Sequence, residues 1–300
     1  MGLYISKSDT LYLFITLLLM KEVKIKMVDV LIALLPIIGA GIYFYGMHAL
    51  QIIFISIIFS IAAEFVFNVI TKRKQTLKDL SSVATGAILA LILPPYIPLW
   101  TAAAGAIFAT VVVKLFFGGI GRNFMNPAGA AKAFLIASWA VVMTKPSGYA
   151  PVNSSIRMNS DILNLLLGQA KGSIGEASIV AILLGGVYLV IRRKISAVTP
   201  IAAILSAAIV TVILGKDVQG TVLTGALFFS AIIMATEPYT TPKTIAGQLV
   251  FGLCFGALAI VFATIGHNPD GPYYAVIFMN LFTPVINYLT EKKKGRELSV

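Results

Sequence analysis

Long apolar runs, separated by short polar and basic stretches, dominate the chain. A helix crosses a hydrocarbon core of roughly 30 Å at about 1.5 Å per residue, so runs of this length predict membrane-spanning helices. We place ten spans at about 28–46, 50–70, 82–95, 99–117, 128–144, 174–191, 196–214, 220–236, 245–266 and 272–289. The third is too short for a full crossing, which indicates a broken or steeply tilted helix inside the protein.

Two stretches interrupt this apolar pattern with prolines, glycines and asparagines. They are residues 94–98 (PPYIP) and 117–128 (FGGIGRNFMNPA). Irregular backbone at membrane depth is tolerated only where it is buried in protein or lines a polar site. We therefore expect a binding site there rather than a purely structural helix bundle.

An internal repeat supports the count of ten. Three short segments lie in order at 85–87 (TGA), 95–98 (PYIP) and 124–126 (FMN). Similar segments follow in the same order at 224–226 (TGA), 238–242 (PYTTP) and 278–280 (FMN). Chance similarity in a restricted alphabet is the alternative. Two inverted five-helix halves, 28–144 and 174–290, would place the first Pro-Tyr turn outside and the second inside. The remaining segments are 1–27 at the N-terminus, an outer loop at 145–173 and a basic tail at 291–300.

Composition and charge agree with an all-α membrane protein. Of the 300 residues 58% are hydrophobic and 12% charged, and the formal net charge is +11. Most basic residues fall in short clusters on one face of the predicted topology, which indicates the cytoplasmic face and places both termini there. Nucleic-acid binding explains such clusters less well. Residues 11–20 read as an interfacial or short anchoring segment. Cys254 alone cannot hold an iron–sulfur cluster, and the isolated His48 and His267 predict no metal site.

Glu64 is an ionisable residue within the second predicted span, with Asn68 one helical turn away. A charge there costs roughly 2.5–3.5 kcal/mol on insertion scales, so we expect it to face a partner or a water-filled path. A glutamate that only holds helices together and a residue on an ion path are both open. Lys114 and Lys132 lie near span ends, where lysines usually extend to the membrane surface.

Asn123 and Asn126, beside the Gly118, Gly119 and Gly121 turn, are the leading ligand-binding candidates. Glycines allow close approach of the backbone, and amide side chains both donate and accept hydrogen bonds. The set suits a flat polar heterocycle or a hydroxylated chain; a plain helix-ending turn is the alternative. Residues 173–176 (SIGE) match a capping box, which predicts that Ser173 and Glu176 open the sixth helix rather than act in catalysis. No catalytic residue is predicted.

Five segments in order, at 89–100, 117–128, 172–176, 234–238 and 268–271, resemble the NqrB/RnfD family. These are membrane subunits of the sodium-pumping NADH:quinone oxidoreductase and of the Rnf ferredoxin:NAD oxidoreductase, and the short N-terminus makes the chain more similar to RnfD. The resemblance implies a urea-channel-like fold of ten helices in two inverted halves. It also implies a flavin-dependent pump for Na⁺ or H⁺ in the cytoplasmic membrane, with riboflavin held by Asn123 and Asn126.

The resemblance further implies partner subunits: small six-helix membrane proteins, a flavin-bearing subunit, and ferredoxin-like and NADH-binding subunits. One departure concerns FMN, which family members carry on a threonine of the outer loop between the fifth and sixth helices. The corresponding stretch 145–161 contains no threonine. Ser160 could accept the phosphoester, but the surrounding motif is missing, so we expect no covalent FMN.

Two other functions remain open. A channel or carrier for a small polar solute would share the inverted-repeat fold, and the altered flavin loop is its best support. A cofactor-free scaffold that anchors the complex would also fit the altered loop.

Overall fold

The computed structural model describes residues 27–144, 166–167 and 172–297, with side chains to residue 291. Its regular secondary structure in these ranges is helical. The helices are α1 Met27–Tyr45, α2 Met47–Ile70, α3 Ser81–Ile92, α4 Leu99–Ile107, α5 Pro127–Ser138, α6 Ala140–Met143, α7 Ile179–Ile191, α8 Val198–Ile213, α9 Val218–Val222, α10 Gly225–Phe229, α11 Ile245–Thr264 and α12 Gly271–Glu297.

Three of these helices, α1, α2 and α11, are long and apolar enough to cross a membrane unaided. The shorter apolar helices α3 and α10 form the centre, where Leu89, Leu91 and Phe229 are fully buried. The outward faces of α1, α2, α8 and α11 carry exposed apolar side chains, as a lipid-facing surface requires. The chain is a multi-pass membrane protein.

Two helices continue with wider, π-helical turns. Phe108–Leu115 extends α4, and Ser230–Met234 extends α10. Such turns are rare overall, but those that occur are often found at functional sites. They shift side chains away from regular helical positions. Here they place Lys114 and Ile233 beside the same cavity.

Two predicted spans are broken in the structure. The predicted span at 128–144 ends at Ser138, because Trp139 leaves helical geometry, and resumes as the single turn α6. The span at 220–236 is split into α9 and α10, where the Thr224 hydroxyl accepts a hydrogen bond from the Leu227 amide and starts a new helix. Local backbone geometry and side-chain caps, rather than hydrophobicity, set these boundaries.

The predicted capping box is wrong. Residues Ile174–Glu176 form a separate 3₁₀ turn, and Ser173 makes no side-chain capping bond. The next helix, α7, begins at Ile179, where the Ser178 hydroxyl accepts from the Ala181 amide at 3.3 Å. The Ser173 and Glu176 side chains instead bond to Lys132 and Tyr273, so tertiary partners replaced the local motif.

Glycines allow the closest helix contacts. A Cβ added at Gly86 of α3 would lie 2.7 Å from the Ser56 carbonyl oxygen of α2, and one at Gly256 of α11 would lie 2.0 Å from that of Ala203 in α8. Neither site has space for a side chain. Small residues at such crossings are typical of membrane helices, where close packing replaces the hydrophobic effect.

Candidate cofactor and ion site

Both interruptions predicted from the sequence are real. Helix α3 ends at Ile92 and the chain reaches α4 through an irregular turn, while a long irregular segment joins the α4 extension to α5. The first turn is buried in protein: Leu93 accepts a hydrogen bond from the Ile174 amide at 3.1 Å, and His48 contacts the Ile97 carbonyl at 3.0 Å. His48 lies in the first turn of α2, although the predicted spans leave residues 47–49 between helices.

The Glu64 cluster consists of Glu64, Lys114, Ser81, Ser82 and Thr76. Lys114 donates to Glu64 at 2.9 Å, and the hydroxyls of Ser82 and Thr76 donate to the same carboxylate. The two charged side chains are 4% and 0% exposed, so the pair is sealed from solvent. Glu64 therefore has a charged partner, which is one of the two surroundings expected for a carboxylate inside a membrane span. Lys114 does not extend to the surface, which corrects that prediction.

Asn126 is a junction between distant parts of the chain. Its side-chain oxygen accepts from the Gly129 amide at 3.0 Å and starts α5, while its side-chain nitrogen donates to Glu237 at 2.8 Å. Its backbone amide donates to the Asn280 side chain at 2.9 Å. The two asparagines of the repeated Phe-Met-Asn triplet thus bond to each other. Both polar atoms of the Asn126 side chain therefore make a hydrogen bond within the protein.

A cavity brings the predicted residues together. It is lined by Lys114, Asn123, Asn126 and Glu237, with apolar walls from α1, α3, α7 and the π-helical turn after α10. Lys114 bonds to Glu64 on one side and faces this cavity on the other, so it joins the predicted ion-path residue to the predicted cofactor residues. Sequence reasoning missed this role of Lys114.

The lining of the cavity is chemically compatible with a flavin, but the cavity is smaller than a flavin. Donors and acceptors at one end, with apolar walls elsewhere, are what the polar edge of a fused-ring heterocycle needs. Asn123 donates to the Met125 carbonyl at 3.1 Å, which leaves its side-chain oxygen to accept a bond from a ligand. The free volume is about 60 Å³, against roughly 300 Å³ for the smallest typical ligand pockets. A flavin would enter only if the apolar wall moved outward.

Glu237 carries the clearest electrostatic signal outside the helices. It lies in the turn after the π-helical segment Ser230–Met234, and burial raises the pKa of its carboxyl to about 7 against the opposing effect of the Asn126 and Thr240 hydrogen bonds. The ammonium of Lys114 lowers the same pKa. A carboxyl that titrates near neutral pH can hold or release a proton under physiological conditions. The Thr-Glu-Pro helix break was the available sequence signal for this residue.

A second buried cluster lies around Lys132 of α5. Lys132 forms an ion pair with Asp270, donates to Ser173 at 3.2 Å and lies 4.0 Å from the centre of the Tyr273 ring. The Tyr273 hydroxyl donates to Glu176 at 2.6 Å. Lys132 is 1% exposed, so the prediction that it extends to the surface is also wrong. This cluster borders a second cavity of about 640 Å³, named the outer cavity after the side on which the predicted topology places it.

Two predictions fall outside the described residues. Ser160, the candidate attachment point for FMN, and the apolar segment 11–20 both belong to them. Among the described residues, no group of three or more metal-ligating side chains occurs.

Interrupted helices, a cavity with polar groups at one end and a buried ion pair are features of an integral membrane protein that holds polar groups within its helix bundle. The chain belongs to the NQR2, RnfD, RnfE family, whose family model matches residues 19–296.

Its relatives include the D-type components of three ion-translocating complexes. The one from the Na(+)-translocating ferredoxin:NAD(+) oxidoreductase complex of Acetobacterium woodii is 34% identical, with 89% of each chain covered. Its counterpart in the proton-translocating ferredoxin:NAD(+) oxidoreductase complex of Clostridium ljungdahlii is 32% identical, again with 89% of each covered. The one from the ion-translocating oxidoreductase complex of Methanosarcina acetivorans is 34% identical, with 88% of each covered.

Proposed function

We propose that this chain is the D-type membrane subunit of an Rnf-type complex, which couples electron transfer between ferredoxin and NAD to Na⁺ or H⁺ movement. The observation that carries the proposal is similarity over nearly the whole chain to the D-type components of three ion-translocating oxidoreductases, two of them named as ferredoxin:NAD(+) enzymes. The named relatives include one Na⁺ and one H⁺ enzyme, so the similarity alone does not choose the ion.

Affinity purification of the tagged chain tests this assignment. It should bring down small six-helix membrane subunits, a flavin-bearing subunit, and ferredoxin-like and NADH-binding subunits. Membranes from a strain lacking the chain should lose ferredoxin-dependent NAD reduction, and the gene in trans should restore it. Isolation of the chain alone, with unchanged activity in the deletion strain, would contradict the assignment.

We propose ten crossings in two inverted halves, in the cytoplasmic membrane with both termini inside. Equivalent pairings support this: α4 packs against α2 in the first half, and α11 packs against α8 in the second. The basic stretches at 72–78 and 192–194 fall on one side of such a topology. Reporter fusions after residues 75 and 193 should then read as cytoplasmic, and a fusion after residue 267 as external.

We propose that riboflavin binds in the cavity between Asn123 and Glu237. Asn123 would orient its polar edge, Asn126 would keep α5 in place, and the apolar walls would exclude water from the rings. Bound riboflavin would supply one-electron redox chemistry. Asn123→Leu should lower the riboflavin content of the purified complex about tenfold while the subunits stay assembled, as one or two lost hydrogen bonds predict. Asn153→Leu, in the stretch predicted to be an outer loop, serves as the matched control.

We propose that this chain carries no covalent FMN, because the outer loop offers no threonine. On a denaturing gel under ultraviolet light the chain should show no fluorescence. A fluorescent band that disappears in Ser160→Ala would contradict the proposal and identify the attachment site.

We propose that Glu64 contributes to the ion path through Lys114. The ammonium neutralises Glu64 and faces Glu237 across the cavity, so a shift of Lys114 toward Glu237 would free the Glu64 carboxylate for a cation. Glu64→Gln should reduce ion uptake into vesicles that hold the complex, while ferredoxin-dependent NAD reduction in detergent continues. Unchanged uptake would leave Glu64 with a structural role only.

A further inference from the structure

A polar pocket of about 250 Å³ lies next to the proposed flavin cavity and shares Ile195, Thr236 and Pro238 with it. Its floor lies where the turn after α7 meets the start of α8, and its opposite wall is the turn that leads into α11. Two lysines line it, together with hydroxyl and amide side chains: Lys194, Lys243, Ser196, Thr199, Thr241 and Gln248.

Charge in this pocket is predominantly positive. Lys194 lies 3.1 Å from Asp29, which also pairs with Arg192 at 3.1 Å. One carboxylate therefore faces two cations, and Lys243 adds a third positive group without a described acidic partner. Glu237, the nearest other carboxyl along the chain, lines the neighbouring cavity and bonds to Asn126. An anion entering the pocket would meet a net excess of positive charge.

Two polar side-chain atoms in the wall have no hydrogen-bond partner among the described residues. They are the Thr199 hydroxyl, on a side chain that is 1% exposed, and the Gln248 side-chain oxygen. Two other hydroxyls in the wall already have a hydrogen bond within the protein. The Ser196 hydroxyl accepts from the Val198 amide, and the Thr241 hydroxyl donates to the Ala235 carbonyl. A buried polar group without a hydrogen-bond partner is destabilising, so these two atoms point to a missing ligand.

Helix α8 adds to the preference for an anion. Thr199 is the second residue of this sixteen-residue helix, which has no side-chain hydrogen bond from its own N-cap residue. The partial positive charge at a helix start favours anions, and a hydroxyl beside it can donate to one. The Gln248 oxygen needs a donor instead, which a hydroxyl on the same ligand would supply.

We propose that this pocket binds a phosphate group that carries a neighbouring hydroxyl, with Lys194, Lys243 and Thr199 on the phosphate and Gln248 on the hydroxyl. An anionic phospholipid with a glycerol headgroup offers this chemistry, and so does a soluble phosphate monoester. The flanking faces favour the lipid: Ile201 of α8 and Ile245 of α11 are 56% and 72% exposed, so acyl chains would find an apolar surface beside the headgroup.

The test uses the purified complex in two arms. In the first, it is reconstituted into phosphatidylcholine nanodiscs with and without phosphatidylglycerol, and bound phosphatidylglycerol is counted by native mass spectrometry after release. In the second, glycerol 3-phosphate is added to the complex in detergent and the thermal unfolding temperature is measured. Each arm compares the parent chain with Thr199→Val/Lys243→Gln and with the control Lys74→Gln, which removes an exposed lysine from another loop on the same predicted face.

We expect the parent and Lys74→Gln to retain phosphatidylglycerol, and Thr199→Val/Lys243→Gln to retain about tenfold less, since one lysine near a membrane surface contributes roughly fivefold and the hydroxyl adds to it. Loss of phosphatidylglycerol from the double variant alone, without stabilisation of the parent by glycerol 3-phosphate, identifies the lipid as the ligand. Stabilisation that the double variant loses identifies a soluble phosphate. Equal retention and equal unfolding temperatures in all three proteins would overturn the site, as would equal losses in both variants.

Thr199→Val alone keeps the test valid if the double variant fails to assemble. The valine has nearly the same shape, and the hydroxyl it replaces makes no bond within the described structure. A partial loss of bound phosphatidylglycerol in an intact complex would support the site, and no loss would overturn the assignment of Thr199 to it.

Discussion

The Glu64–Lys114 pair and the Lys132–Asp270 pair are built from the same kinds of charged group but differ in access to water. Both charges of the first pair are sealed, at 4% and 0% exposed. In the second pair the Lys132 side chain is buried, whereas the Asp270 side chain is 25% exposed at the outer cavity. Removing either member of a sealed pair should cost a similar amount of unfolding free energy, because water cannot hydrate the charge that is left. In a half-open pair, removing the exposed member should cost more unfolding free energy, because it leaves the buried charge without a partner.

Breaking the sealed pair should have the largest effect. Lys114→Met leaves the Glu64 carboxylate without its charge partner, which typically costs about 3–5 kcal/mol of unfolding free energy. Thermal unfolding of the complex in detergent measures it. Glu64→Gln/Lys114→Met should recover most of the loss, since no lone charge remains. An unfolding temperature of Lys114→Met equal to that of the parent would mean that the pair is not sealed.

The half-open pair should respond unequally to its two substitutions. Asp270→Asn leaves the ammonium of Lys132 buried and should cost about 2–3 kcal/mol. Lys132→Met leaves Asp270 at the outer cavity, where water can hydrate it, and should cost about 1 kcal/mol less. The same unfolding measurement compares them, and the reverse order would contradict the difference in access.

Glu237 adds a third case to the comparison. Its carboxyl lies near the Lys114 ammonium, but in a turn rather than in a helix. Its pKa of about 7 in the folded chain is above the unfolded value of about 4.5, so the folded state binds the proton more tightly. Stability should therefore fall as pH rises from about 4.5 to about 7, by roughly 2 kcal/mol at most for a partly exposed side chain. Glu237→Gln should flatten this slope in unfolding curves measured across that range, whereas an unchanged slope would assign the effect to another group.

The smallest change concerns a single hydrogen bond at the edge of the Lys132 cluster. Tyr273→Phe removes the hydrogen bond to Glu176 but keeps the ring beside Lys132, so it should cost about 1–2 kcal/mol. Tyr43→Phe, on a side chain that is 64% exposed, is the control and should change the unfolding temperature little. Equal shifts in the two variants would indicate that the Glu176 contact adds no stability.

Sequence reasoning located most helices because long apolar runs flanked by basic residues specify them directly. Helices α1, α2, α8 and α11 begin and end within three residues of their predicted limits. The interruptions at 94–98 and 117–128 were equally accessible, since proline and paired glycines act on the backbone wherever the helices pack.

The charged clusters could not be predicted, because each depends on which helices become neighbours. Lys114 and Lys132 were assigned to the membrane surface from their positions along the chain, but Glu64 and Asp270 approach them only after folding. The same limit explains Ser173 and Glu176, whose local spacing matches a capping box while Lys132 and Tyr273 provide alternative partners.

The bond between Asn126 and Asn280 has a mechanical consequence. It joins the start of α5 to the middle of α12, and the Asn126 side chain also holds Glu237. Separation of these three segments would break several buried hydrogen bonds at once, whereas a small rotation about the junction need break none. Motion during turnover would thus take the form of rocking around a fixed pivot, with the largest displacements at the ends of the helices farthest from it.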